Sequence, residues 1–240
     1  MAVLPEVPIP GRIIALMQER NRLFTYPLEA LEAEIRQIGF SCSQCGTCCT
    51  RMDNRHIFLL DTDVKIIKAI DPAAIRPAPD PEFSDQNGMM YVSGYALRMK
   101  DDNGGACWFL QDNRCRIYEK RSAICRIYPH MLRREAGHAK TMEWCIFSRM
   151  NEHGRYHEAI PDDECRKLAL EIKEYENAFL THQISFLETI YDYFSAHDLR
   201  HDPDMHKRNM QRILQGGPVD VKVFHAGELK DCRIGGASLK

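Results

Sequence analysis

The sequence predicts an α+β fold, with an irregular cysteine-rich half that contains short strands and packs against C-terminal helices. Eight of the ten cysteines fall between residues 40 and 150. From residue 162 to about 199, apolar side chains such as Leu168 and Ile172 recur at steps of three and four, which predicts a long amphipathic helix. Apolar runs bounded by turn residues, clearest at Met89–Lys100, predict strands.

The elements before residue 71 follow from local signals. Pro27 suits the first turn of a helix, Gly39 suits the position just past its end, and Asp71-Pro72 stops the next helix. The predicted elements are a lead-in over 1–26 with a short helix at Ile13–Gln18, a helix at Pro27–Ile38, a strand at His56–Leu60, and a helix at Asp61–Ile70 capped by Asp61.

Between residues 71 and 150 the predicted elements are short. Residues 71–88 are rich in Pro and Asp and predict a surface loop ahead of the strand at Met89–Lys100. The turn sequence DDNGG at 101–105 predicts that Cys107–Leu110 pairs back on that strand as a hairpin. A further strand is expected at Lys140–Phe147.

The C-terminal part is mainly helical. After the long helix, a second helix is predicted at Pro203–Leu214 and a strand at Val219–Phe224, and the tail 227–240 is expected to be mobile. The sequence therefore divides into an N-terminal helical lead-in (1–39), a cysteine-cluster metal-binding region (40–150) and a C-terminal helical region with its tail (151–240).

Composition excludes several classes of protein. The chain has 240 residues, 44% hydrophobic and 28% charged, as in a globular protein of one large or two small domains. A net charge of −2, from 34 acidic and 32 basic groups, disfavours nucleic acid as a partner. The N-terminus lacks a basic segment and has three prolines in its first ten residues, and no run of about 18 apolar residues occurs. We therefore expect a cytoplasmic protein without a signal peptide or a membrane partner.

The compact quartet Cys42, Cys45, Cys48 and Cys49 is the strongest signal in the sequence. A C-x2-C turn aims two sulfurs at one ion, and glycine tolerates the tight backbone that this requires. The first three cysteines have the spacing that opens a ferredoxin cluster motif, but Met52-Asp53 stands where that motif has its fourth cysteine and proline. Because adjacent side chains tend to point apart, Cys48 and Cys49 are expected to serve two neighbouring centres.

A dispersed quartet follows at Cys107, Cys115, Cys125 and Cys145. The eight thiolates could fill two four-thiolate sites or one polynuclear cluster. Thiolates without clear histidine ligands suit zinc or an iron–sulfur cluster about equally and disfavour calcium and magnesium. In a reducing compartment such clusters indicate metal more often than disulfides.

Arginines surround the dispersed quartet. Residues 114–134 hold seven basic side chains against Glu119 alone, and three of the arginines flank Cys115 and Cys125 directly. Two interpretations stay open. The arginines neutralise the cluster sulfurs, or they form a patch that binds a carboxylate, a phosphate or RNA.

Five further residues carry weaker signals. Cys165 and Cys232 lie outside the two quartets and are expected to be free thiols. His56 and His130 could each replace a thiolate, although a surface or hydrogen-bonding role is the first expectation. His182 falls on the apolar stripe of the long helix, where a hydrogen-bonded core histidine is the default and a ligand or proton donor the alternative.

Two sequence blocks carry a family resemblance. They are F-x-C-x2-C-G-x-C-C at Phe40–Cys49 and, between Cys107 and Pro129, C-W-F-L followed by C-R-I-Y, Arg121 and C-R-I-Y-P. These blocks resemble the CxxCxxCC cysteine-cluster family, the YkgJ-like group of zinc- or iron-chelating proteins, over about residues 38–146. Ser122 stands where the family usually has proline, which removes no ligand.

The resemblance implies a metal-binding protein with all eight cysteines of the two quartets as ligands. The related flagellin lysine-N-methylase group implies an alternative, methyl transfer from S-adenosylmethionine, but no glycine-rich methyltransferase loop occurs. Three hypotheses result: a zinc or iron–sulfur protein in redox chemistry or metal handling, a protein-modifying enzyme such as a lysine N-methylase, and a zinc-stapled interaction module. The sequence leaves the metal, the catalytic residues and the protein or small-molecule partner open.

Overall fold

The computed structural model describes residues 8–50, 56–100, 105–136, 142–147 and 154–235, with the backbone alone for 133–136 and 142–147. Within these ranges the chain forms six helices and eleven short strands, which confirms the α+β class. The helices are α1 (Ile9–Thr25), α2 (Leu28–Ile38), α3 (Asp61–Ile70), α4 (Ala123–Ile127), α5 (Asp162–Ala196) and α6 (Pro203–Leu214). The strands are β1 (Phe58–Leu59), β2 (Ile75–Pro77), β3 (Phe83–Ser84), β4 (Met90–Val92), β5 (Tyr95–Leu97), β6 (Leu110–Gln111), β7 (Arg114–Cys115), β8 (Met131–Ala136), β9 (Met142–Phe147), β10 (Val219–His225) and β11 (Glu228–Ile234).

Several helix boundaries match their local signals. The helix α2 ends at Gly39, whose left-handed backbone lets its N–H donate to the carbonyl of Ile35 at 2.9 Å. The helices α3 and α6 have the predicted bounds, and the side chain of Asp202 accepts the N–H of Met205 at 2.8 Å to cap α6. Longer than predicted, α1 runs from residue 9 to residue 25.

The prediction that Asp61 caps the N-terminus of α3 is wrong. The carboxylate of Asp63, not that of Asp61, accepts the backbone N–H of Leu60 at 3.3 Å. Asp61 instead contacts the ring nitrogen of His225 at 2.7 Å and accepts the N–H of Ala226 at 3.1 Å. Asp61 therefore binds residues that are distant in sequence, and it does not cap the helix.

The tail is not mobile over its described part. Residues 228–234 form β11, which pairs antiparallel with β10 from Val219↔Ile234 to His225↔Glu228. The two residues between the strands, Ala226 and Gly227, both have positive φ, at 52° and 82°. Such a two-residue turn suits the twist of a hairpin. Its usual sequence signal is Asn or Gly at the first turn position, where this chain has alanine.

The middle of the chain also differs from expectation. The predicted loop 71–88 contains β2 and β3, and the predicted strand Met89–Lys100 divides into β4 and β5. Of the predicted hairpin between Met89–Lys100 and Cys107–Leu110, the described residues show one antiparallel bridge, Met99↔Cys107. The strand β6, which begins at Leu110, pairs with β7. The turn residues 101–104 lie outside the described residues.

The chain divides into two compact units, and the predicted three-region division stays a prediction. Unit 1 comprises residues 1–17, 58–98 and 181–240. It contains two sheets, β1-β5-β2 and β11-β10-β4-β3, in which β10 runs parallel to β4 and the other pairs are antiparallel. Its core includes Phe83, Tyr91, Phe186, Phe194 and Phe224.

Unit 2 comprises residues 18–57 and 99–180, and every cysteine of both quartets belongs to it. It holds α2, α4, the part of α5 up to Leu180, and the hairpins β6-β7 and β8-β9. Its buried side chains include Leu31, Ile35, Phe109, Ile127 and Ile172. In the described parts of the chain, no helix combines the length and the apolar character that crossing a membrane requires.

Candidate metal centre

The compact quartet lies in a tight loop that is fixed at both ends. Before it, Ser41 and Arg155 exchange backbone hydrogen bonds of 2.8 and 2.9 Å, and at its end the carbonyl of Cys49 accepts the N–H of Cys107 at 2.7 Å. Gly46 has a φ of 79°, and a Cβ there would lie 3.1 Å from Cδ1 of Leu110. Glycine therefore lets the loop turn sharply while it lies against β6.

Local hydrogen bonds orient the first two thiols. The N–H of Gln44 donates to Sγ of Cys42 at 3.4 Å, and Sγ of Cys45 lies 3.3 Å from Oγ1 of Thr47. The Thr47 side chain first, and then its backbone, lower the pKa of Cys45. Because the thiolate is the form that binds metal, this contact favours the ligand state of Cys45.

The dispersed quartet is joined to the compact one through the backbone. The N–H of Cys107 donates to the carbonyl of Cys49 at 2.7 Å. Cys115 lies opposite Leu110 in the β6-β7 hairpin, and Cys125 lies in α4, where its Sγ is 3.2 Å from Oγ of Ser122. Residues that are far apart in sequence are thereby brought to one place in unit 2.

Burial opposes ionisation of the inner thiols. It raises the pKa of Cys107 to about 12 and that of Cys125 to about 12, and it raises the pKa of Cys115. The pKa of Cys49 rises well above its usual range, first through a hydrogen bond with Cys48 and then through burial. These thiols stay protonated at neutral pH unless a cation compensates their charge.

Cys49 is electrostatically coupled to most of the other thiols of the two quartets. Charge repulsion with the thiols of Cys48 and Cys45 contributes to its raised pKa. A charge on Cys49 in turn raises the pKa of Cys107, Cys115 and Cys125. The two quartets therefore form one electrostatically connected group of thiols around Cys49.

The side chains of Cys48 and Cys49 hydrogen-bond to each other and do not point apart, whereas the expectation that the two residues serve two neighbouring centres stays a prediction. The reason is the local backbone, because residues Thr47–Cys49 form a 3-10 turn. Neighbouring side chains point to opposite faces in an extended strand, but in a turn with about three residues per revolution they diverge less. The two adjacent thiols can therefore take part in one centre.

Solvent exposure decreases from one side of the cluster to the other. Cys42 and Cys45 are exposed, Cys48, Cys49, Cys115 and Cys125 are half-buried, and Cys107 is buried. The thiol group therefore has an open edge at the C-x2-C turn and a closed interior.

Of the arginines that surround the dispersed quartet, Arg121 acts on the thiols. Its positive charge lowers the pKa of Cys49 and Cys115 against the effect of burial. The guanidinium lies 3.9 Å from the ring centroid of Tyr118. By contrast, Arg126 pairs with Glu171 of α5 and donates to the carbonyl of Arg121 at 2.9 Å. Charge compensation of the sulfurs is thus supported for Arg121, while Arg126 links α4 to α5.

The donor set fits zinc or iron by its chemistry. Thiolate sulfur is the preferred protein ligand of zinc in structural sites and of iron in iron–sulfur clusters. Among the described side chains, no three His, Cys, Asp or Glu groups already stand at positions that could hold one ion. The described thiols are therefore not arranged around a single ion position in this structure.

The remaining cysteines lie elsewhere. Cys145 is on β9 opposite Arg133 in the backbone register, and its side chain lies outside the described part of the chain. Cys165 is buried in α5 with Sγ 3.8 Å from the carbonyl of Ile160. Cys232 lies in unit 1, with Sγ 3.7 Å from the hydroxyl of Tyr95. Both outer cysteines are free thiols.

The histidines that sequence analysis singled out have different environments. His56 is half-buried ahead of β1. His182 lies in the core of unit 1, with Nε2 against the carbonyl of Ser93 and its ring against Phe58 and Phe224 at 5.4 and 5.1 Å, which confirms a core histidine. The surface role expected for His130 is wrong, since the residue is buried; its hydrogen-bonding role stays a prediction, and neither ring nitrogen has a hydrogen-bond partner in the described residues.

Together these features define a thiolate-rich region whose donors suit zinc or iron. Residues 41–146 match the model of the CxxCxxCC family, described as a putative zinc- or iron-chelating domain. That part of the chain is similar to the CxxCxxCC domain, which confirms the family resemblance of the sequence over these residues. No curated protein and no solved structure matches the chain significantly.

Proposed function

We propose that this protein handles metal, taking up zinc or iron at the exposed edge of its thiol cluster and holding it against the buried thiols. The single observation that carries the proposal is the gradient of exposure from Cys42 and Cys45 to Cys107. A structural zinc site is closed by its four protein ligands, whereas a site that exchanges its metal needs thiols that a donor or acceptor can reach.

The charges of the cluster support the same function. Four thiolates around one divalent cation leave a net charge of about −2, which favours uptake of the cation but must be compensated. Arg121 supplies positive charge beside Cys49 and Cys115. The lowered pKa of Cys45 favours its thiolate form at the open edge, where an incoming ion would first meet the protein.

The connected position of Cys49 favours one polynuclear centre over two separate sites. Among the described cysteines of the two quartets, each half-buried or buried thiol interacts with Cys49. In this proposal both quartets, with Cys49 among them, would contribute ligands to the same centre. The partner would be a protein or small molecule that delivers or accepts the metal in the reducing cytoplasm.

The other two functions have less support from the described residues. A redox role would require an iron–sulfur cluster, and a zinc-stapled interaction module would require a site without an exposed edge. The lysine N-methylase alternative, with S-adenosylmethionine as donor, rests on the family resemblance alone.

The test is metal analysis of the full chain purified without oxygen, followed by transfer of the metal to a chromogenic chelator. We expect more than one bound zinc or iron per chain, without acid-labile sulfide, and fast transfer. Cys107→Ser should weaken retention of metal strongly, Cys45→Ser should weaken it less, and Cys232→Ser, in unit 1, should leave it unchanged.

The possible results separate the three functions. A brown protein that absorbs near about 400 nm and contains labile sulfide would overturn metal handling in favour of a redox cluster. A colourless protein with zinc that resists the chelator for hours would favour a structural staple. Equal loss of metal in the Cys45→Ser and Cys107→Ser variants would contradict the role of the exposed edge.

A further inference from the structure

His130 is a buried polar group without a partner. The side chain is 1% exposed, and neither Nδ1 nor Nε2 has a hydrogen-bond partner among the described residues. The backbone N–H of the same residue does have one, the carbonyl of Ile127 at 2.8 Å. A buried ring with two unsatisfied nitrogens is costly, and native proteins usually satisfy such a group with a bound water, ion or ligand.

Other buried or half-buried histidines in the described residues are satisfied. His182 contacts the carbonyl of Ser93, His206 contacts the carbonyl of Pro81 at 2.9 Å, and Nδ1 of His225 lies 2.7 Å from Oδ1 of Asp61. In each of these histidines a ring nitrogen therefore has a polar partner. His130 departs from this pattern.

The ring lies beside the entry to the compact quartet. The edge of the Phe40 ring meets it, with ring centroids 6.5 Å apart and an interplanar angle of 80°. Phe40 precedes Cys42 by two residues, and the backbone of Gly154 lies against the same ring, since a Cβ there would be 2.4 Å from Cε2 of Phe40. Gly154 in turn hydrogen-bonds to the thiol of Cys45 through its backbone.

The chain also ties His130 to the dispersed quartet. Cys125 lies five residues earlier, in α4, and the carbonyl of Ile127 at the end of that helix accepts the N–H of His130. His130 thus follows directly on the helix that carries one quartet and packs on the residue that leads into the other. His130 is therefore connected to both quartets through neighbouring residues, Phe40 on one side and α4 on the other.

The chemical state of the ring suits a ligand. Burial lowers the pKa of His130 to about 4, so the imidazole is neutral at physiological pH and one nitrogen keeps its lone pair. Neutral imidazole nitrogen is a common ligand of zinc and of iron, and it combines with thiolates in mixed sites.

We propose that His130 supplies a nitrogen ligand to the metal centre, which makes it a mixed cysteine–histidine centre. This inference rests on the proposed metal binding by the cysteine cluster. The free ring nitrogen, the position next to Phe40 and α4, and the absence of another partner in the described residues all point to the same role. A nitrogen ligand also lowers the negative charge that an all-thiolate centre would carry.

The test uses the full chain loaded with Co²⁺, whose absorption bands report the ligands, and the zinc-loaded chain labelled with ¹⁵N-histidine. We expect His130→Gln to shift the Co²⁺ bands and to weaken Co²⁺ binding roughly tenfold or more. The matched control His182→Gln removes another buried histidine and should leave bands and affinity unchanged. In the labelled wild type, one ring nitrogen of His130 should move on zinc addition, a measurement that needs no variant to fold.

Two outcomes would overturn the inference, and they are distinguishable from failure of the proposed function. If wild type binds Co²⁺ with bands that His130→Gln leaves unchanged, metal binding stands and the histidine ligand is refuted. If the ¹⁵N resonances of the His130 ring do not shift on zinc addition, and the ring N–H proton shows a contact with a bound water, then water satisfies the ring and the histidine ligand is refuted. If wild type binds neither metal, the proposed function itself fails.

Discussion

Metal binding by the thiol cluster is expected to depend steeply on pH. In the metal-free protein, the pKa of Cys107 and of Cys125 is about 12, and the pKa values of Cys49 and Cys115 are also raised. All four thiols are therefore protonated at neutral pH. A metal ion binds the thiolate, so each of these thiols must release one proton when it becomes a ligand.

The magnitude follows from the number of protons. An ion held by four such thiols releases four protons, so its apparent association constant changes about 10⁴-fold per pH unit, or about 5.5 kcal/mol. A raised pKa in the metal-free state gives binding that strengthens as pH rises and weakens as pH falls. Cys45, whose pKa is lowered, contributes less than one proton where it is already partly ionised.

The assay is competition with a chelator of known affinity between about pH 6.5 and about pH 7.5, together with calorimetry in two buffers to count released protons. Cys107→Ala should reduce the slope by about one decade per pH unit, and Cys232→Ser should not change it. A slope below about one decade per pH unit would refute the reasoning, because the ligands would then be thiols that are already ionised, or not thiols at all.

Two further predictions concern stability. Gly46→Ala places a Cβ at a φ of 79° and 3.1 Å from Leu110, so it should lower the free energy of unfolding in denaturant by about 1–2 kcal/mol. Gly227→Ala is the control, because Gly227 has a φ of 82° and open space around it. An equal cost for both variants would show that the Leu110 contact contributes nothing. Arg126→Ala breaks the partly exposed pair with Glu171 and should cost no more than about 1 kcal/mol; a double-mutant cycle with Glu171→Ala measures the pair, and a coupling far above that value would contradict a surface ion pair.

Local signals in the sequence predicted the elements that depend on local chemistry. The end of α2 at Gly39 and the bounds of α3 and α6 follow from capping and breaking residues that act within a few positions. The hairpin β10-β11 was missed because Ala226 occupies a turn position with positive φ that normally carries Asn or Gly. Its stability comes from pairing along both strands, which no single turn residue reveals.

The candidate site was predicted in its residue types and not in its arrangement. Spacing identified the compact quartet because four cysteines in eight residues need no tertiary contact to be recognised. The coupling of Cys49 to the dispersed quartet depends on the hydrogen bond from Cys107, which joins residues far apart in sequence. The burial of His130 likewise depends on packing against Phe40, and a histidine in an Arg-rich segment gives no sequence sign of that environment.

These contacts explain how one cation could organise a region with few regular elements. The compact loop is held by Ser41 and Arg155 on one side and by Cys107 on the other, so its thiols are placed by backbone bonds that do not require metal. The same placement buries thiols that cannot ionise together at neutral pH without a compensating charge. Arg121 supplies only part of that charge. The backbone therefore brings the thiols together, and in the proposed centre a bound cation would supply the charge that their ionisation requires.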